Sequence, residues 1–331
     1  MRTFDFLVRA LRRAYRLALN KRFLNPVCEM DRQVVNDMMG ELLRCGKPCL
    51  ISRFGTTELN CINNYLCVQS ARGFGLRLCD YLIDNTHTPW WNEDHFETMS
   101  LYSGIFPPCQ DTAERFSERN LKDIPLVDVL GSFQYYEKFM PLRPDVFKVQ
   151  LETLYPFFVK RPWTASLKDK NVLVVHPFDY SIRSQYEKRK RLFENPDVLP
   201  DFNLITFRAV QSVAGTKVPF QDWFEALQYM EDKISNIDFD VCILGCGAYG
   251  LPLAAHVKRM GKKAVHLGGG TQLLFGIKGK RWEEQYQREW HYRPNESINI
   301  NYVDLFNEHW VYPDESEKPK DALKVENACY W

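Results

Sequence analysis

No two cysteines in this 331-residue chain stand at CxxC spacing, although there are ten of them. That removes the usual structural zinc modules, and spacings such as Cys45/Cys49 and Cys242/Cys246 make no disulfide framework. Reduced thiols packed as small hydrophobes are the expectation. No run suffices to span a membrane either: the longest uncharged stretch, Val241 to Val257, is interrupted by Gly245, Gly247, Gly250 and Pro252. Neither charge is in excess, with 43 basic residues against 42 acidic ones, which argues against a nucleic-acid binder. HExxH, GxSxG and Walker A sequences are missing, so zincin, nucleophilic-hydrolase and P-loop readings fall. At 45% hydrophobic and 26% charged, the chain is neither disordered nor a small stapled scaffold.

The even balance conceals an uneven distribution. Arg2, Arg9, Arg12, Arg13, Arg16, Lys21 and Arg22 face a single acid, Asp5, before Pro26, leaving the rest of the chain mildly acidic. Phe4, Leu7, Val8, Leu11, Tyr15, Ala18 and Leu19 recur at helical spacing, so residues 1–26 read as a basic amphipathic helix ended by Asn25-Pro26. Such a helix can lie on an anionic membrane, or it can pack on its own domain with a solvated basic face. Its arginines leave no apolar h-region, so it is no secretory signal. A cytoplasmic protein, peripheral on the inner face of the plasma membrane through residues 1–26, is the expectation.

Residues 27–331 read as one α/β domain. A helix over about 31–44 leads into a strand over Pro48–Phe54, then a helix through Leu59, Ile62, Tyr65 and Leu66 with Thr56 or Thr57 as N-cap. The middle section, about 73–158, is aromatic-rich and helical by pattern, with one strand at Leu126–Leu130. From Lys170 strands and helices alternate: strands at Asn171–His176, Phe202–Arg208, Asp240–Leu244 and Lys263–Leu267, with helices at about 182–193, 220–234 and 249–260. This implies a doubly wound, mostly parallel, Rossmann-like sheet with a helical insertion, its strands buried on both faces.

In such sheets ligands sit where strands end and helices begin. Gly245-Cys246-Gly247-Ala248-Tyr249-Gly250 is a GxGxxG after a strand and before a helix, suited to a diphosphate. The acid that would grip a ribose in NAD binding is missing, since no Asp or Glu follows until Glu283. A nucleotide or substrate turn, a ligand-free packing turn and an NAD site all remain open. Gly268-Gly269-Gly270-Thr271-Gln272 ends the next strand, and Lys278, Lys280 and Arg281 follow, an arrangement suited to anionic oxygens. The alternative is a loop with solvated lysines, although Phe275 and Trp282 argue for an anchored one. His176 ends another strand, as a candidate base or a structural histidine.

The segment Ile51-Ser52-Arg53-Phe54-Gly55-Thr56-Thr57-Glu58-Leu59 resembles the strand-turn-helix of GT-D-type glycosyltransferases, whose pattern is Arg-Phe-Gly-Asp-Gly-Glu. Cys242 to Gly269 resembles the closing unit of that class. The runs His266 to Trp282 and Asn307-Glu308-His309-Trp310 resemble proteins of bacterial surface-polysaccharide gene clusters. The resemblance implies transfer of a sugar from a nucleotide-diphosphate donor to a saccharide or polyprenyl-diphosphate-linked acceptor. It implies Arg53, Gly55, Thr56 and Glu58 at the donor, with Glu58 as metal ligand or as base, and His176 as the alternative base. The glycine turns, with Tyr249 and Gln272, would hold the nucleotide, and Lys278, Lys280 and Arg281 the departing phosphate. Thr56 stands where the family has Asp, which weakens the site for Mn2+ or Mg2+, because hard cations want several charged oxygens. A noncatalytic nucleotide- or sugar-binding partner and an NAD-dependent sugar-modifying enzyme are the alternatives.

Overall fold

The computed structural model describes residues 2–19, 26–283 and 301–331. Seven parallel strands form one sheet: β1 Cys49–Arg53, β2 Val129–Ser132, β3 Phe147–Gln150, β4 Asn171–His176, β5 Asn203–Arg208, β6 Val241–Leu244 and β7 Lys263–His266. Their spatial order is β3-β2-β1-β7-β6-β4-β5. The chain is therefore a Rossmann-like, doubly wound α/β protein. No helix among the described residues is long and apolar enough to cross a membrane.

The continuous apolar strands dictate this arrangement, because each must bury both faces. Val172 and Val174 of β4 enter one core and Leu173 and Val175 the other. Val241/Ile243 and Cys242/Leu244 divide in the same way on β6. One face is covered by α2 (Arg32–Arg44), α7 (Asp179–Glu187) and the chain's last residues. The other is covered by α3 (Thr56–Val68), α6 (Gln110–Asp123), α8 (Trp223–Ser235) and α9 (Gly250–Arg259). Each fully buried Val, Leu or Ile contributes about 1.5–3 kcal/mol relative to exposure. Caps set the helix starts: Asp31 accepts from the Gln33 and Val34 N–H groups, and Asp222 from Glu225 N–H.

Three expectations need correction. The middle section supplies two strands, β2 and the edge strand β3, instead of one; β3 hides in Phe-Lys-Val-Gln, which has one apolar residue buried and no apolar run. The helix predicted over 182–193 begins at Asp179, ends at Glu187 and passes into a 3-10 turn at Arg189–Arg191. The N-cap of α3 is Gly55, extended at φ −72° and ψ 147°, and Thr56 is already helical.

At the N-terminus a helix, α1, spans Arg2–Ala18, alongside α4 (Phe74–Leu82). Its predicted end at Asn25, with Lys21 and Arg22, lies outside the described residues.

Candidate functional site

Register decides which strand ends meet. Val175 pairs with Leu244, and Leu244 with His266, so His176, Gly245 and the residues after β7 emerge side by side. β1 joins the other edge of β7 and delivers Arg53. The connection after β4 runs outward to β5 while the one after β6 runs back to β7, which leaves a crevice at the C-terminal edge of the sheet. A cavity of about 230 Å³ fills it.

The turn after β1 forms one wall. Arg53 is half-buried, with its guanidinium carbon 5.3 Å from the Phe133 ring centre, a cation–π distance. Its stem passes Gly268, where an added methyl would lie 3.5 Å from Cδ. Among the described residues, no carboxylate pairs with it. Gly55 matters by what it lacks, since a methyl there would overlap the Glu58 carboxylate, which folds back over the start of α3. An acid in a helix's first turn is favoured by the dipole, and here it also lines the cavity. Thr56 is exposed at the rim.

The GxGxxG turn forms the second wall, and its three glycines have different causes. A methyl on Gly245 would lie 2.5 Å from His176 Cδ2 and 2.7 Å from Thr271 Cβ. A methyl on Gly250 would overlap the His266 ring. Gly247 alone takes a left-handed conformation, φ +56°, and beside it the nearest atom, Ser103 O, is 4.0 Å away. Two of the three glycines thus serve packing, and Gly247 faces the cavity. The 3-10 turn Gly247–Tyr249 opens there, where leading N–H groups lack intrahelical acceptors. Tyr249 touches the cavity but belongs to the core: its ring stacks on Trp223 at 4.9 Å and its hydroxyl meets Ser212 Oγ at 3.3 Å.

Both histidines on this wall are neutral. Burial pushes each down to about 3, with Arg53 adding to the effect on His266. His266 Nδ1 pairs with Ser52 Oγ at 3.0 Å. His176 Nδ1 accepts from Phe178 N–H at 3.0 Å, which leaves the proton on Nε2. A ring so arranged is a hydrogen-bond donor, so the geometry sets aside His176 as a general base.

The third turn departs most from expectation. Gly268, at φ +59°, and Gly269 line the cavity, whereas Gly270 lies under the Tyr155 ring and does not. Gln272 is a staple, its amide donating to Lys278 O at 2.9 Å and Tyr330 O at 3.3 Å. The three cations that follow do not converge. Lys278 stands 5.5 Å from the Phe306 ring centre, and neither it nor Lys280 lines the cavity. Arg281 does, but it is ion-paired with Glu326 and donates to Tyr330 Oη at 2.8 Å. The loop is anchored, as Phe275 and Trp282 suggested: both are buried, and Ile277 bridges Val311.

Sequence reasoning missed the remaining walls. Ser103 closes α5 (Glu93–Ser103), Asn120 lies in α6, Ser212 follows β5, and Val325, Glu326, Tyr330 and Trp331 come from the end of the chain. Glu326, Asn327 and Ala328 take left-handed conformations in succession (φ +44°, +54°, +58°) and turn the aromatic end back onto the site. The only signal was the aromatic ending, Tyr330-Trp331.

The donor set does not suit a divalent metal. Thr56 brings no carboxylate to the turn, and among the described residues no three His, Cys, Asp or Glu groups gather where an ion could be held. No family model, curated protein or solved structure matches the chain.

Proposed function

We propose that this protein is a glycosyltransferase acting on a nucleoside-diphosphate sugar, in the assembly of a surface polysaccharide. One observation carries the reading. The cavity at the C-terminal edge of the sheet gathers the Arg53–Glu58 turn and the Gly247 turn, with an arginine that no described carboxylate neutralises. Arg53 would hold the diphosphate in a charge-assisted fork, and the amides at Gly247 and Ala248 would take a second phosphate edge. His176 Nε2–H would donate to a sugar or phosphate oxygen. Glu58 would remove the acceptor hydroxyl's proton as that oxygen bonds to the anomeric carbon and the bond to the diphosphate breaks. The nucleoside diphosphate leaves with its electron pair, and Arg53 stabilises the developing charge. The resemblance of the Arg53–Glu58 segment to GT-D enzymes supports the same assignment.

Thermal shift with UDP, GDP, CMP and NAD, each with and without Mn2+, is the direct test. A nucleoside diphosphate at a hundred times its Kd should stabilise by about 2.7 kcal/mol, and Arg53→Ala should remove most of that. Stabilisation by NAD alone would overturn the reading. The missing Asp at Thr56 favours a second reading, a noncatalytic nucleotide-binding partner in polysaccharide assembly. Glu58→Gln separates the two: a transferase keeps nucleotide binding and loses turnover, whereas a noncatalytic partner leaves polymer output unchanged.

A further inference from the structure

Helix α1 is inverted relative to the surface helix of a folded domain, which turns its apolar stripe inward and its charges out. Here arginines do the docking. Arg12 Nε and Arg16 Nη2 each lie 2.6 Å from the carboxylate of Asp84, which is fully buried. Arg12 also donates to Tyr136 Oη at 2.6 Å and sits 4.0 Å from the Tyr81 ring centre. Val8 is the one large hydrophobic residue of α1 that is fully buried against the body.

The other side of α1 is apolar and faces outward. Phe6, Leu7, Leu11 and Leu17 are 70%, 55%, 61% and 74% exposed, with exposed Ala10 and Ala14 between them. At 3.6 residues per turn these six form one continuous arc, and along its edge stand exposed Arg13 and exposed Arg9, the latter paired with Asp5 at 2.8 Å. On the neighbouring α4, Phe74 and Leu76 are 45% and 57% exposed.

We propose that this arc is a docking face for an anionic lipid surface, with the apolar ridge at the acyl boundary and Arg9 and Arg13 among the headgroups. Charge decides between lipid and a second copy of the chain. An isologous pairing would set the arginine edge against itself, whereas acidic headgroups satisfy it. The ion pairs to Asp84 fix α1 on the body, so the ridge is presented without refolding. The inference stands apart from the transferase reading and would survive its failure.

Vesicle flotation of the whole protein tests it. The protein should float with phosphatidylcholine vesicles containing phosphatidylglycerol, fail to float with phosphatidylcholine alone, and be released by high salt as the Debye length shortens. The double variant Leu11→Glu/Leu17→Glu alters only outward positions, so it should lose flotation and keep its thermal midpoint. Arg13→Ala should lower partitioning into acidic vesicles roughly fivefold and leave folding untouched. Absence of wild-type flotation, or flotation indifferent to lipid charge and salt, would overturn the proposal. So would a wild-type dimer, seen by analytical ultracentrifugation, that the double variant disperses without any vesicle binding; that outcome assigns the ridge to a second copy.

Discussion

The cavity has two kinds of wall, and they are held by different physics. The strand-end wall (Arg53, His176, Gly245, Gly247, Gly268) is held by close packing at Gly245, which admits the buried His176 ring, and by histidines kept neutral. The chain-end wall (Arg281, Glu326, Tyr330) is fixed by an ion pair, a hydroxyl contact and a left-handed turn. Each wall brings one arginine to the cavity, yet only Arg53 lacks a described carboxylate partner. Charge density along the chain therefore misleads. Three cations in four residues deliver one paired guanidinium, while a single arginine in an apolar strand delivers an unneutralised one.

If packing and neutrality hold the strand-end wall, acid should attack it first. His176 and His266 on this wall, and His87 away from it beside the Tyr136 ring, are each pushed down to about 3, chiefly by burial, against an ordinary value of 6.5. Below pH 6.5 the unfolded chain binds protons that the folded protein excludes. Stability is therefore full above pH 6.5 and falls toward pH 3, by up to about 1.4 kcal/mol per pH unit for each histidine. The three together would cost about 3 kcal/mol between pH 6.5 and 5.5. Urea unfolding across that range measures this. His176→Asn should flatten the slope, and Arg281→Ala should not. A flat profile for the native protein would contradict the buried, neutral histidines.

The next effect in size concerns Gly250. Its place is filled by the His266 ring, so Gly250→Ala should destabilise by about 2–3 kcal/mol through overpacking. Urea midpoints of this variant and of Gly247→Ala give the contrast. Gly247 has open space beside it and would lose only about 1 kcal/mol for its left-handed backbone. Equal losses would mean that both glycines serve packing.

These glycines also mark how far the sequence could be read. Alternating strands and helices after Lys170 announced the parallel sheet, because strands buried on both faces are written as apolar runs such as Val-Leu-Val-Val. The strand-end rule then located Arg53, His176 and Gly245 on one cavity. What stayed hidden was pairing. Nothing local shows that Glu326 lies against Arg281, that Tyr155 covers Gly270, or that Gln272 staples a loop, since each partner is far away in the chain. Edge strand β3 was hidden for a related reason: an edge strand need not be apolar.

Arg53→Ala probes the ligand side of the comparison. Nucleoside-diphosphate affinity should fall by about 1.5–3 kcal/mol, the worth of charge-assisted hydrogen bonds, with binding of the bare nucleoside nearly unchanged. Calorimetry with the two ligands gives the difference directly. Equal losses for both would show that Arg53 shapes the cavity and does not meet phosphate.

The smallest effect is expected at Arg281, where the charge cluster would have placed the largest. Its side chain is 23% exposed and that of Glu326 is 40% exposed, so solvent screens the pair and its net worth is about 1 kcal/mol or less. The backbone bond from Arg281 N–H to Cys329 O, 2.9 Å long, survives truncation of the side chain, so the loop and the chain end stay connected. Arg281→Ala should therefore leave the global unfolding midpoint nearly unmoved. Hydrogen exchange should quicken for the amides of residues 325–331, because loss of the guanidinium removes contacts to Glu326 and Tyr330 that hold the left-handed turn closed. Nucleoside-diphosphate affinity should change by less than about a third of the Arg53→Ala loss, since Glu326 already satisfies much of the guanidinium's charge. An affinity loss matching that of Arg53→Ala would mean that ligand displaces Glu326, and that the chain-end wall is a second phosphate clamp and no mere closure.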